Sequence, residues 1–228
     1  MTSTGGQPKP VIVGGGITGL LLALQLKRRG LPVSVFDRGP DPRRSESASG
    51  RSINLALAAR GQRALAAAGL DATVMPQTTA MFGRMLHGPN GALKFQRYSS
   101  AGDAAIYSIE RHGLTVSLVE ACVSAGVDLH FDSRCVGVTP SACTVQIETD
   151  SSVTDVPYEP LIAADGAGSV IRRDVALATR FDATESLLDH GYKELAIPAT
   201  AYQWFRLSPH ALHIWPRSAH MLIALPNL

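Results

Sequence analysis

The chain has 228 residues, 45% of them apolar and 18% charged, with a formal net charge of +2. That apolar content supports a sizeable core rather than disorder. Near-neutral charge gives no reason to expect nucleic acid or an anionic membrane as partner. The opening "MTSTGGQPKP" lacks the basic-then-apolar order of a secretory signal, and "GLLLALQL" is cut off by Lys27, Arg28 and Arg29, well short of a membrane span. The three cysteines, Cys122, Cys135 and Cys143, have no C-x-x-C spacing, which argues against a disulfide framework or zinc site and fits a reducing cytoplasm.

Along the chain, "KPVIV" reads as a strand that meets "GGGITG" and then the helix-like "LLLALQLKRRG", stopped by Gly30. "LPVSVFD" (31–37) is the next strand, completing a βαβ unit with a parallel pair. The segment 38–52, rich in Pro, Ser and Arg, reads as a mobile or ligand-facing loop, and 59–70 as a second helix. Residues 80–98 show two strand-like runs around "GPNG", a hairpin signal. A helix with apolar positions at Leu114, Leu118, Val119 and Cys122 follows, then the parallel-type strand "VDLHF". "CTVQIETD" and 156–166 read as strands, "GSVIRRDVA" as a short helix, and 191–228 as strand-rich, with "MLIAL" expected to be a buried strand. Trp204 and Trp215 read as core or interface residues. His210 and His213 lack a carboxylate or cysteine to complete a metal set, so no metal ligands are assigned.

Two motifs carry chemistry. Gly14-x-Gly16-x-x-Gly19 follows a strand and opens a helix, where its glycines allow a tight turn, close approach of a pyrophosphate, and helix–strand packing. Asp37 ends the second strand at the spacing of an acid that binds ribose hydroxyls, which favours FAD or NAD over NADP as the bound nucleotide. The second motif, "ADGAGSVIRR", holds Asp165-Gly166 at a strand end, then Ser169 and Arg172 in a short helix.

This second motif resembles the D-G-x-x-S-x-V-R signature of FAD-dependent aromatic hydroxylases, with Ile171 in the Val position. "GRSINLALAARGQRAL", "GRMLHG", "IYSIER" and "HGYKELAIP…ALHIWPR…HMLIALPN" together resemble the kynurenine 3-monooxygenase family, collinearly over nearly the whole chain. The resemblance implies a Rossmann-like α/β FAD-binding core of the aromatic-hydroxylase type with a partial, β-rich substrate-binding sheet. Its boundaries are expected at 1–72 and 100–178 for the FAD-binding domain, and at 73–99 and 179–228 for the substrate sheet. The FAD set it implies is Gly14, Gly16, Thr18, Gly19, Asp37, Arg38, Ala56, Arg111, Cys135, Asp165 and Gly166. Arg84 and Tyr98 match the pair that holds the substrate carboxylate; a guanidinium fork and a phenol suit that task, and antiparallel pairing of the hairpin ends brings them together.

The activity implied is NADPH-consuming hydroxylation of L-kynurenine by O2 in tryptophan catabolism, through a C4a-hydroperoxyflavin, with no protein nucleophile or metal. Family members continue past residue 228 with further flavin and substrate contacts, so the chain is expected to be truncated at its C-terminus and to need a missing half or a complementing subunit. Three alternatives stay open: a hydroxylase of another aromatic acid, a non-catalytic FAD-binding fragment, and an NAD-dependent Rossmann dehydrogenase.

Overall fold

A computed structural model describes residues 9–44, 54–100, 104–179, 181–202 and 204–228. The first eight residues, and 45–52 of the polar loop read from the sequence, lie outside the described residues. The chain divides into two compact units, Met1–Ala48 with Thr115–Gly191 and Ser49–Leu114 with Tyr192–Leu228.

In the first unit, strands β1 (Val11–Val13), β2 (Ser34–Phe36), β8 (Asp128–His130) and β12 (Leu161–Ala163) form a parallel sheet in the order β12-β1-β2-β8. The central strands β1 and β2 are buried throughout, as inner parallel strands must be, whereas the edge strands β8 and β12 are partly exposed. Helix α1 (Ile17–Arg28) buries Gly19, Leu20, Ala23 and Leu24, and ends in the basic pair Lys27 and Arg28, favourable charges at a helix C-terminus. Helix α4 (Arg111–Ser124) buries Leu118, Val119 and Cys122, and the Cys122 thiol donates to the Leu20 carbonyl at 3.3 Å. An antiparallel meander of β9 (Arg134–Thr139), β10 (Thr144–Thr149) and β11 (Ser152–Pro157) contributes Cys135, Val138, Val145 and Ile147 to a core shared with Val11, Val13 and Phe36. Ile171 joins it from helix α5 (Val170–Thr179).

The thiols differ sharply in environment. Burial pushes Cys122 up to about 12 and raises Cys135, whereas Cys143 is exposed. A disulfide-exchange reagent at pH 8 is therefore expected to titrate one thiol quickly in the native chain and all three after denaturation.

The second unit holds two sheets. Strands β3 (Asn54–Leu57), β4 (Thr79–Met81) and β7 (Ile106–Glu110) form an antiparallel sheet in the order β3-β7-β4, joined by helices α2 (Ala59–Ala67) and α3 (Asp71–Val74). The other sheet runs β14-β13-β5-β6, from β5 (Gly83–His87), β6 (Leu93–Arg97), β13 (Leu212–Pro216) and β14 (Met221–Ala224). Its β5–β6 hairpin turns through Gly91 at φ +82°.

Several expectations need correction. The boundaries at 72 and 100 shift because β3 and β4 both pair with β7, which keeps 54–81 and 106–110 in the second unit. The stretch read as one strand over 156–166 is the end of β11 and the separate β12; Pro157 and Pro160 lack the N–H needed to continue one ladder. In the tail, the described residues between 181 and 211 contain no strand, and only β13 and β14 form. Strand β14 pairs as expected, but Met221, Leu222 and Ile223 are exposed. Trp204 is exposed as well, while Trp215 stacks on His87 with centroids 4.0 Å apart.

That stacking belongs to a histidine pair. His213 Nε2 lies 2.9 Å from the Ser208 carbonyl, an acceptor only, so Nε2 carries the proton and Nδ1 accepts from His87 Nε2 at 2.8 Å. Burial lowers the His87 pKa, assisted by His213 and Arg217. A depressed histidine pKa means the folded chain binds fewer protons than the unfolded one. The stability that His87 contributes is complete above the ordinary histidine value of 6.5 and is lost as pH falls below it through the lowered folded-state value. Denaturant midpoints are expected to drop from pH 8 to pH 5.5, and His87→Phe to flatten that dependence.

Candidate functional site

The nucleotide-type site forms at the carboxyl ends of β1, β2 and β12. Each fingerprint glycine has its own physical reason. Gly14 sits at φ +107°, and a Cβ there would lie 2.2 Å from the Ala164 carbonyl oxygen at the end of β12. A Cβ on Gly19 would lie 1.9 Å from the Gly14 oxygen and 3.3 Å from Ile12, so α1 reaches the sheet only through a glycine. A Cβ on Gly16 would meet nothing within 4 Å. Gly16 is also the N-cap of α1, and no side chain caps that end. Open space in front of an uncapped helix N-terminus is a cradle for a phosphate, favoured by helix dipole and N–H groups together.

Asp37 is fixed beside this turn. Its Oδ2 accepts from the Gly15 N–H at 2.6 Å and its Oδ1 from the Gly39 N–H at 2.7 Å. Both oxygens keep a further lone pair for ribose hydroxyls. Thr18 and Arg38 are exposed at the helix start and just past β2.

The DG motif has a structural job that its sequence only hinted at. The Ser169 hydroxyl donates to Asp165 Oδ1 at 2.7 Å, the Val170 N–H donates to Oδ2 at 3.0 Å, and the Arg172 N–H donates to the Ser169 hydroxyl at 3.0 Å. Asp165 and Ser169 thus satisfy the first turn of α5, and Gly166 at φ +84° makes the turn between strand and helix. Because the Asp165 nitrogen would lie 2.8 Å from a Cβ on Gly14, this turn and the fingerprint turn abut. Cys135 sits in the core with its thiol turned to the Gly137 carbonyl at 3.7 Å.

The remaining assigned residues lie in the second unit. Ala56 is exposed on β3, opposite Ser108, and Arg111 is exposed at the first position of α4. Arg84 and Tyr98 are brought together by register: Arg84 faces Gln96 across the hairpin, and Tyr98 continues the ladder with its N–H donating to Phe82 at 3.1 Å. The Arg84 guanidinium carbon stands 5.6 Å from the Tyr98 ring centroid. The Tyr98 hydroxyl is buried with no hydrogen-bond partner. Burial raises its pKa while Arg84 opposes the shift, so the group stays a neutral donor at physiological pH. The pleat puts Leu212, Ile214, Met221 and Ile223 on the Arg84 face of the same sheet. Sequence reading placed these strands in the substrate sheet without saying which of their residues share a face with Arg84; that follows from the register.

Among the described residues no helix is long and apolar enough to cross a membrane, and no group of three His, Cys, Asp or Glu could hold a metal ion.

Fold and fingerprint define a dinucleotide-binding α/β protein of the flavoprotein type. The chain belongs to the FAD binding domain family, which matches residues 9–225. It is similar to the kynurenine 3-monooxygenases of Stenotrophomonas maltophilia (strain K279a), 42% identical over 95% of this chain and 48% of the relative, and of Xanthomonas campestris pv. campestris (strain 8004), 40% identical with the same coverage. The chain therefore spans about half the length of the curated relatives it matches. Among solved structures it is similar in fold to p-nitrophenol 4-monooxygenase PnpA from Pseudomonas putida DLL-E4, with a TM-score of 0.64 at 20% identity over 74% of this chain and 43% of that one.

Proposed function

We propose that this chain carries the FAD-binding and substrate-anchoring parts of a cytoplasmic, FAD-dependent and NADPH-consuming monooxygenase that converts L-kynurenine to 3-hydroxykynurenine in tryptophan catabolism. The observation that carries this reading is the buried, partnerless Tyr98 hydroxyl beside the Arg84 guanidinium, on a sheet face that turns apolar toward β13 and β14. The similarity to kynurenine 3-monooxygenases supports the choice of substrate. When bound, FAD supplies the redox chemistry, with NADPH and O2 as co-substrates.

The chain's own residues bind and orient. Gly16 and the start of α1 receive the pyrophosphate, and Asp37 accepts from the ribose. Arg84 gives two parallel N–H donors to the substrate carboxylate, and Tyr98 adds a third donor. The aliphatic face of β13 and β14 receives the aryl ring and keeps water from it. Since the relatives are about twice as long, turnover is proposed for the polypeptide that includes the counterpart of their other half.

The test is the visible spectrum of the purified chain after desalting, followed by titration with L-kynurenine. Flavin bands near one equivalent, perturbed saturably by L-kynurenine, are expected. A colourless chain after reconstitution with FAD sinks the flavoprotein reading; a flavin spectrum that responds to 4-hydroxybenzoate and not to L-kynurenine sinks the substrate.

A further inference from the structure

Gln96 stands beside Arg84 and Tyr98 and has no role so far. It stands directly across from Arg84 in register and two residues before Tyr98, so all three side chains share one face. Arg84 and Gln96 are both exposed there. Among the described strand residues that face also carries Leu86, Lys94, Leu212, Ile214, Pro216, Met221 and Ile223, all apolar or cationic. Among the described strand residues and Tyr98, the side-chain acceptors on it are the Gln96 amide oxygen and the Tyr98 hydroxyl.

An α-amino acid poses a specific difficulty for such a face. Its ammonium is attached to the carbon next to the carboxylate, so seating the carboxylate on Arg84 brings two cations close together. A neutral acceptor on that face offsets the repulsion, and a hydrogen bond to a charged group is worth more than one between neutral groups. Tyr98 spends its proton on the carboxylate and has a positive neighbour in Arg84. Gln96 is neutral, opposite Arg84, and carries a strong carbonyl acceptor.

We propose that Gln96 accepts a hydrogen bond from the substrate's α-ammonium and so sets the preference for an aryl α-amino acid over a plain aryl carboxylate. This rests on the substrate reading above and adds the group that recognises the amine. Simple aromatic acids, which need only Arg84 and Tyr98, gain nothing from Gln96.

The experiment is calorimetric titration of the FAD-reconstituted chain with L-kynurenine and with 4-(2-aminophenyl)-4-oxobutanoate, the same molecule without its α-amine. The unaltered chain is expected to prefer L-kynurenine about tenfold, the scale of one hydrogen bond to a charged group. Gln96→Leu is expected to erase that preference by weakening L-kynurenine alone, and Gln96→Glu, which keeps an acceptor and adds charge, to preserve it. Equal loss for both ligands in Gln96→Leu, no loss for either, or a lost preference in Gln96→Glu overturns the amine contact and leaves the substrate reading standing. If the unaltered chain binds neither ligand, the substrate reading fails, and the role of Gln96 fails with it.

Discussion

Gly16→Ala is expected to leave the protein folded and to weaken FAD binding about 10- to 100-fold, the worth of one charge-assisted contact to a phosphate. Gly19→Ala, three residues away, is expected to fail at the earlier stage of folding. The contrast follows from what a single methyl meets. At Gly16 it enters open space at φ −73°, an ordinary backbone angle, so its cost to the fold is that of a weaker N-cap, under about 1 kcal/mol. That same space is where a pyrophosphate must approach the helix N-terminus. At Gly19 the methyl lands 1.9 Å from the Gly14 carbonyl oxygen, and neither backbone can move without parting α1 from β1. Overpacking of that kind costs about 3 kcal/mol or more. Gly14→Ala joins a 2.2 Å contact to a positive φ and is expected to behave like Gly19→Ala. Denaturant unfolding of the apo chains, with fluorescence titration of FAD, separates the two classes. Equal stability of the Gly16 and Gly19 variants would falsify the assignment of packing to one glycine and ligand access to the other.

Arg84→Leu is expected to reduce L-kynurenine affinity about 100-fold while leaving FAD content unchanged, since truncating one partner of a charge pair costs about 2–5 kcal/mol. Tyr98→Phe gives the sharper signature, because its two effects differ in sign. Without ligand the Tyr98 hydroxyl is buried and has no partner, a condition that costs about 1–3 kcal/mol. Removing it is expected to leave the apo chain as stable or up to about 1 kcal/mol more stable. With ligand the same change removes a donor to the carboxylate, and affinity is expected to fall about tenfold. A variant that loses stability and affinity together points to a structural tyrosine. Unfolding curves with and without saturating L-kynurenine decide between these outcomes.

The local parts of this protein were legible in its sequence. The fingerprint turn, α1, the parallel pair β1–β2, the β5–β6 hairpin and the DG turn each depend on residues close together in the chain. Glycine spacing, a run of β-branched residues, or a Pro-Asn-Gly turn encodes them without help from distant segments. The nearness of Arg84 and Tyr98 also followed, because one hairpin fixes its own register.

Tertiary structure alone decided what depends on distant pairing. Strands β3 and β4 are four and three residues long and join β7 from across the sequence, so no periodicity marks them, and the unit boundaries moved with them. Apolarity in "MLIAL" predicts burial only if something covers the strand; pairing with β13 satisfies its ladder and leaves Met221, Leu222 and Ile223 exposed. Sequence determines which residues are able to turn, cap or alternate. Which of them face a ligand is set by register and by contact between segments far apart in the chain.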